Sequence, residues 1–230
     1  MRFSGLLPAF LAISTPASAC EIALALAVDV SGSVDSVEYR IQMQGLADAI
    51  RHPTVAEALV LAEADLMLVQ WTGDSRQSIS LPWTRVSGYG AVELIAQQIE
   101  TAPRRWWQFS TAIGAALEFT RAQFEGNDCK RRVIDVSGDG SSNEGVEPTS
   151  LRTQFWRDGY TVNALAIEGS EPDLTAYFWE NVIAGEGAFV ITADGFADYP
   201  EKIRLKLLRE VTAQLSSLPQ QKRFAANLAK

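Results

Sequence analysis

The sequence is poor in histidine and cysteine, and this limits the chemistry available to it. It has one histidine, His52, which stands directly before Pro53 at the end of a helical pattern. A hydrolase of the Ser-His-Asp class needs a histidine as general base, and no Gly-x-Ser-x-Gly motif is present either. Zinc sites are built mainly from histidine and cysteine, so zinc catalysis is excluded as well. The glycine-rich segments lack the spacing and the lysine of a phosphate-binding loop.

Long apolar segments are also absent from the chain after its N-terminal region. No segment there approaches the ~18 consecutive apolar residues of a membrane-spanning helix. Residues 1–19 are predicted to be a signal peptide, because Arg2 precedes an apolar stretch from Leu6 to Ile13 and Ala17-Ser18-Ala19 fits a cleavage site. We therefore expect an exported protein, periplasmic or secreted, whose first mature residue is Cys20. A lipid anchor on Cys20 is the less favoured alternative, since this chain has Ala17 where a lipid-attachment motif usually has Leu.

Basic residues are in the minority, and cysteines are few. The chain has 20 Lys and Arg against 28 Asp and Glu, and a net charge of −8 disfavours non-specific nucleic-acid binding. The only two cysteines, Cys20 and Cys129, each stand just before an apolar strand pattern. If those strands are parallel neighbours, both thiols lie at one edge of the sheet, and we predict a disulfide between them. The alternative is two unpaired buried cysteines.

Apolar runs alternate with helical patterns, which predicts a single α/β domain with a doubly wound, mostly parallel sheet. Strands are predicted over 22–30, 66–71, 77–81, 132–137, 161–167 and 188–191, the third of them antiparallel. Helices are predicted over about 36–51, 92–99, 111–124, 151–158, 174–183 and 201–215. Asp35 and Glu38 predict a capping box at the first helix, and Pro53 predicts its end. The domain is expected to span 20–216, with a polar tail over 217–230.

Oxygen-bearing side chains collect at three places that such a sheet brings to one edge. Asp29-Val30-Ser31-Gly32-Ser33 ends the first strand, Thr111 begins a helix, and Asp139 follows the strand that ends near Ser137. Two carboxylates and three hydroxyls are hard ligands of the type that Mg²⁺ prefers, with waters completing an octahedron. Each segment alone fits a helix cap. Together they predict a metal site.

The order and spacing of these segments resemble a von Willebrand factor A-type (VWA) domain with a metal-ion-dependent adhesion site (MIDAS). That family's site is Asp-x-Ser-x-Ser, then a Thr in the context Thr-x-x-Gly-x-Ala-Leu, then Asp-Gly at the end of a strand. The matching residues of this chain are Asp29, Ser31, Ser33, Thr111 and Asp139. More narrowly, the segments QWTG and VIDVSGDGSSN resemble a bacterial family of exported proteins of unknown function.

The resemblance implies a six-stranded sheet in the order 3-2-1-4-5-6, with one antiparallel edge strand and helices on both faces. In that order the strands that follow Cys20 and Cys129 are neighbours, which supports the disulfide. The resemblance also implies cation-dependent protein binding. The two serine hydroxyls would ligate Mg²⁺, or alternatively Mn²⁺ or Ca²⁺, while the aspartates act mainly through water and Thr111 binds in either way. A carboxylate of a partner protein would fill the open position, and the helix at 201–215 would shift.

The segment Arg104-Arg105-Trp106-Trp107 precedes Thr111 and offers side chains typical of binding hot spots. With Asn143 it supplies possible partner contacts, although the tryptophans fit a core equally well and Asn143 and Glu144 fit a plain polar loop. Asp135, inside a strand, is interpreted as a buried structural acid. The catalytic alternative is a Mg²⁺-dependent hydrolase or phosphotransfer enzyme. The sequence offers no nucleophile or general base beyond the ligands themselves, so we expect a binding module and not an enzyme.

Overall fold

The computed structural model describes residues 20–169 and 171–215, which form one six-stranded sheet with helices on both faces. The strands are β1 (Ile22–Asp29), β2 (Asp65–Trp71), β3 (Gln77–Arg85), β4 (Arg131–Gly138), β5 (Tyr160–Glu168) and β6 (Val190–Asp194). The helices are α1 (Ser36–Arg51), α2 (Pro53–Leu61), α3 (Tyr89–Glu100), α4 (Ile113–Ala122), α5 (Pro148–Arg157), α6 (Leu174–Asn181) and α7 (Tyr199–Leu215). The sheet order is β3-β2-β1-β4-β5-β6, with β3 antiparallel to β2 and the other pairs parallel. The predicted fold class and strand order are confirmed.

The central strand β1 is buried along its whole length and separates two cores. Its large side chains face one core, built with α1, α2, α3 and α7, and they are Ile22, Leu24, Leu26 and Val28. The alternate positions face the other core, built with α4, α5 and α6, and they are Ala23, Ala25 and Ala27. Small side chains on this second face let α4, with its own Gly114-Ala115-Ala116, approach the sheet closely.

The structure differs from the sequence-based expectations at two prolines. Pro53 ends α1, as predicted, but it also begins α2, a helix that the sequence analysis missed. Proline suits the first position of a helix, where no intrahelical N–H bond is needed. The strand β3 continues past the predicted end at Leu81 to Arg85 and includes Pro82. This proline lies at an irregularity between the Leu81 and Thr84 pairings with β2, and edge strands and bulges accept proline.

The helix α7 packs on the sheet through an apolar stripe that a buried charged cluster interrupts. Lys206 is fully buried, and its Nζ lies 2.5 Å from Asp135 Oδ1 on β4 and 2.8 Å from Glu210 Oε1. Asn163 on β5 donates to the same oxygen of Glu210 at 2.9 Å. Burial and then the charge of Glu210 raise the pKa of Asp135, and Lys206 opposes this. Asp135 thus has the structural role expected from the sequence.

The disulfide lies at the edge of the sheet where β1 and β4 begin. Cys20 precedes β1 and Cys129 precedes β4, and the two are bonded across 109 positions of the chain. The bond forms because β1 and β4 are paired neighbours whose first residues lie side by side, Ile22 opposite Arg131. The predicted disulfide is confirmed.

The predicted chain boundaries fall outside the part of the chain that the structure describes. These are the signal peptide over 1–19 and the tail over 217–230, and the domain is described as far as Leu215. Among residues 20–169 and 171–215, no helix is both long and apolar enough to cross a membrane. The signal peptide and the tail therefore stay predictions from the sequence.

Candidate metal centre

The three predicted ligand segments meet at the carboxyl edge of the sheet. Asp29 is the last residue of β1, Asp139 directly follows β4, and Thr111 lies just before α4. Because β1 and β4 are neighbours, the two aspartates emerge side by side, and α4 covers the face that both strands share. Asp29, Ser31, Thr111 and Asp139 are buried, whereas Ser33 is exposed. The site therefore opens to solvent at Ser33.

The loop after β1 folds back over the end of its own strand. Asp29 Oδ1 accepts a hydrogen bond from the Ser31 N–H at 2.7 Å, which tightens the turn. The hydroxyl oxygens of Ser31 and Ser33 lie 3.2 Å apart. The Ser33 hydroxyl then donates to Asp139 Oδ1 at 2.6 Å. Four of the five predicted ligand residues thus form one continuous set of contacts between two strand ends.

Thr111 is held by the loop that follows Asp139. Its carbonyl accepts from the Asn143 N–H at 2.8 Å, and its own N–H donates to Asn143 Oδ1 at 3.0 Å. Gly114 permits this close approach of α4, because a β-carbon there would lie 1.9 Å from the carbonyl oxygen of Val146. The fifth predicted ligand residue is therefore fixed to the third segment of the site.

Two carboxylate oxygens at the site are buried and have no hydrogen-bond partner in the described part of the chain. They are Asp29 Oδ2 and Asp139 Oδ2. Burial and then the charge of Asp139 raise the pKa of Asp29 from 3.8 to about 7, and burial raises the pKa of Asp139. Buried carboxylates without partners are costly, and a divalent cation would relieve both the desolvation and the repulsion. The oxygen-only ligand set fits a hard divalent ion and resembles a MIDAS.

Arg104, predicted as a partner contact, uses its guanidinium inside the protein. Its Nη2 donates to the carbonyl oxygens of Val30 at 3.1 Å and Ser31 at 3.0 Å, and its Nε donates to that of Trp106 at 2.8 Å. Its positive charge also lowers the pKa of Asp29, opposing the larger effect of burial. Arg104 therefore anchors the first ligand loop. The sequence carries no signal for this, because the acceptors are backbone carbonyls.

The other predicted partner contacts differ in exposure. Trp107 is 58% exposed, and the Arg105 side chain is exposed while its N–H donates to Gln70 Oε1 at 3.0 Å. Trp106 is half-buried and packs against the core that α1, α2, α3 and α7 build with the sheet. Asn143 is exposed, but it forms hydrogen bonds with both the N–H and the carbonyl of Thr111. Arg105 and Trp107 are therefore exposed at this surface, and Asn143 is exposed as well but uses its side chain to hold Thr111.

Two glutamates frame the site from neighbouring loops. Glu144 Oε2 accepts from the Asp74 N–H at 3.0 Å and from the Ser110 hydroxyl, which ties the β2–β3 turn to the segment before α4. Glu171 Oε2 accepts from the Ser141 N–H at 2.8 Å. Glu144 was considered as a site residue from the sequence, whereas Glu171 was not, because it lies outside the three predicted ligand segments.

The chain matches the model of the family DUF1194, described as a protein of unknown function, over residues 19–215. A comparison with curated proteins found no match. Among solved structures, proximal thread matrix protein 1 from the mussel byssus, with a zinc-occupied MIDAS motif, aligns at 16% identity and a TM-score of 0.63 over 85% of this chain and 47% of that one.

Two bacterial structures show the same relationship. The von Willebrand factor type A protein from Catenulispora acidiphila aligns at 16% identity with a TM-score of 0.57, over 83% of this chain and 43% of that one. The pilus adhesin SpaC from Lactobacillus rhamnosus GG aligns at 12% identity with a TM-score of 0.61, over 84% of this chain and 30% of that one. The chain thus spans less than half the length of each. These likenesses show that the fold is of the VWA type.

Proposed function

The chain belongs to the DUF1194 family, whose function is unknown, and we propose that it is an exported protein-binding module that requires a divalent cation. The observation that carries the proposal is the pair of buried, unpartnered carboxylate oxygens on Asp29 and Asp139 beside three hydroxyl groups. Asp135 and Glu210 also have buried, unpartnered carboxylate oxygens, but the ammonium group of Lys206 lies against both of those carboxylates. A divalent cation would supply the corresponding positive charge to Asp29 and Asp139. The zinc-occupied MIDAS motif of the mussel matrix protein, which has the same fold, supports the assignment.

The proposed ligand set divides into two kinds of residue. Ser31 and Ser33 would bind the ion through their hydroxyl oxygens, and Thr111 would bind it directly or through water. Asp29 and Asp139 would act mainly through bridging waters and by orienting the hydroxyls, as the bond from Ser33 to Asp139 already does. Mg²⁺ is the expected ion, and Mn²⁺ and Ca²⁺ use the same oxygen chemistry. When bound, the ion supplies positive charge and an open coordination position.

Binding is favoured over catalysis by what surrounds the site. The solved relatives of this fold include a matrix protein and a pilus adhesin. The single histidine, His52, caps the far end of α1, a 16-residue helix about 24 Å long, so it cannot serve the metal centre as a base. The partner would contribute a carboxylate to the ion, with Arg105 and Trp107 as contacts at the rim. Exposed Trp and Arg side chains are typical of binding hot spots.

Export is supported by the signal-like sequence at 1–19 and by the disulfide. Disulfides form and persist mainly in oxidising compartments, and the Cys20–Cys129 bond fits such a location. The mussel protein comes from the byssus, and SpaC is a pilus adhesin. We propose a periplasmic or secreted location on these grounds.

Calorimetric titration with Mg²⁺ and with Mn²⁺ tests the proposal on the wild type, Asp29→Ala and Asp35→Ala. Asp35 is the matched control, because it is an exposed aspartate of the same loop whose carboxylate caps α1. We expect binding by the wild type and Asp35→Ala and none by Asp29→Ala. A wild type that binds neither ion would refute the proposal. A pull-down from exported material with and without a chelator would then identify the partner by its loss on metal removal.

A further inference from the structure

The connection between β5 and α6 crosses the same sheet edge as the ligand loops. β5 pairs with β4 in register up to Gly138 opposite Ala166, so the segment after Glu168 leaves the sheet beside the loop that contains Asp139. The backbone turns sharply here, with φ of +133° at Gly169. The turn brings Glu171, a half-buried acid, to the edge of the metal centre.

Two geometric observations place the Glu171 carboxylate beside the proposed ligands. Its Oε2 accepts from the Ser141 N–H at 2.8 Å. A β-carbon on Gly140 would lie 3.8 Å from Glu171 Oε2 and 3.9 Å from Thr111 Oγ1, so the carboxylate and the threonine hydroxyl flank the same glycine. Its charge raises the pKa of Asp139, as the charge of Glu38 does more strongly, so the two contacts alone distinguish Glu171.

One oxygen of the Glu171 carboxylate has no hydrogen-bond partner among the described residues. Within residues 20–169 and 171–215, Glu171 makes its single hydrogen bond through Oε2, and Oε1 has none. A carboxylate accepts at two oxygens, so Glu171 can keep its bond to Ser141 and still offer a lone pair to a cation. A carboxylate oxygen is among the ligands that hard divalent ions bind.

We propose that Glu171 is a further carboxylate of the metal centre, an in-chain ligand of the bound ion before a partner arrives. The inference rests on the proposed function, because it presumes that the site holds a cation. With Asp29 and Asp139, Glu171 brings the formal charge of the carboxylates to −3, which exceeds the +2 of the ion. Glu171 would occupy the coordination position that the proposed function leaves open to a partner, so a partner carboxylate would compete with Glu171 for the ion.

The matched control is Glu38, at the first turn of α1. Its charge also raises the pKa of Asp139, but its Oε2 accepts from the Asp35 N–H at 2.7 Å in the capping box. Glu38→Gln keeps that hydrogen bond and removes the charge. Glu171→Gln likewise keeps an acceptor for the Ser141 N–H. The two variants thus lose the same charge near Asp139, and only Glu171 is proposed to touch the ion.

Mn²⁺ alone is the probe, with two readouts: its dissociation constant and the water-proton relaxation rate of the bound ion, which reports how many exchangeable waters it holds. We expect Glu171→Gln to weaken Mn²⁺ binding about tenfold or more and to raise the relaxation rate, because water replaces the lost ligand. Glu38→Gln should change neither readout by as much. Equal dissociation constants and equal relaxation rates for the two variants would overturn the inference and leave the proposed function standing. A wild type that binds no Mn²⁺ would refute both.

Discussion

The hydroxyl of Ser33 donates a hydrogen bond of 2.6 Å to Asp139 Oδ1, across 106 positions of the chain. A serine hydroxyl has one hydrogen and two lone pairs. Because the hydrogen is committed to Asp139, one lone pair of Ser33 can accept from the Ser31 hydroxyl 3.2 Å away, and the other stays available to a cation. The bond therefore orients a proposed ligand before any metal binds.

Replacing Ser33 tests this orientation directly. We expect Ser33→Ala to weaken Mg²⁺ binding by more than about tenfold, since it removes a hydroxyl ligand and leaves Asp139 without its donor. Ser36→Ala is the control, because Ser36 is an exposed serine at the start of α1. Titration calorimetry measures both. Equal affinities for the two variants would show that the Ser33 hydroxyl is not part of the centre.

Metal stabilisation should depend on pH through Asp29. Its pKa in the folded, metal-free protein is about 7, against an ordinary value of 3.8. Between about pH 4 and pH 7 the folded state therefore holds a proton on Asp29 that the unfolded state has already released. The contribution of Asp29 to the stability of the metal-free protein falls as the pH rises through that window. A cation competes with this proton and binds best once it has left.

The measurement is the increase in Tm on adding Mg²⁺. We expect a larger increase at about pH 8 than at about pH 5. Asp139 has a raised pKa as well and is expected to act in the same direction as Asp29. Asp135 also has a raised pKa but lies under α7 against Lys206, so we expect its effect to cancel between the two forms. An increase in Tm that is independent of pH would contradict the assignment of Asp29.

The close approach of α4 should depend on Gly114. A β-carbon there would collide with the carbonyl oxygen of Val146, so we expect Gly114→Ala to cost about 1–3 kcal/mol of stability and to weaken metal binding by displacing Thr111. Gly90→Ala, in the first turn of α3, is the control because nothing lies within 4 Å of its added carbon. Urea unfolding should show Gly90→Ala neutral or slightly more stable. Equal stabilities would refute the packing argument.

The buried charged cluster under α7 should be sensitive to the loss of its cation. Lys206→Met leaves the carboxylates of Asp135 and Glu210 facing each other in the core, and we expect a cost of roughly 3–5 kcal/mol. Lys202→Met on the same helix removes a partly exposed pair with Asp198 at 3.4 Å and should cost less than about 1 kcal/mol. Adding Asp135→Asn to Lys206→Met should recover part of the loss. Urea denaturation measures the free energy of unfolding of all three variants.

Much of the fold is visible in the sequence because burial imposes period and composition on each element. The continuous apolar run at 22–28 predicts a central strand, and the Asp35 and Glu38 pair predicts the start of α1, which the structure caps as expected. Pro53 shows the limit of such reasoning. A proline that ends one helix is also acceptable as the first residue of the next, and the sequence alone does not reveal that the chain turns back so soon.

The residues of the candidate site also differ in whether the sequence could predict them. The residues from Asp29 to Ser33 could be found because neighbouring positions carry the pattern within one short loop. The hydrogen bonds of Arg104 to Ser31 and of Glu171 to Ser141 could not, because each joins a side chain to a distant backbone group brought close by the sheet order. An arginine or glutamate in a loop is compatible with many roles, and only its tertiary partner selects one.

The bond between Cys20 and Cys129 decides what else the first residue of the predicted mature chain can carry. A sulfur atom in a disulfide has no valence left for the thioether that attaches a lipid. The bridged form and a lipidated form are therefore two different covalent molecules, and a single copy of the protein cannot be both. In the bridged form the start of β1 is covalently joined to the start of β4. A lipidated form would lose that staple and be held at a membrane surface by the same atom.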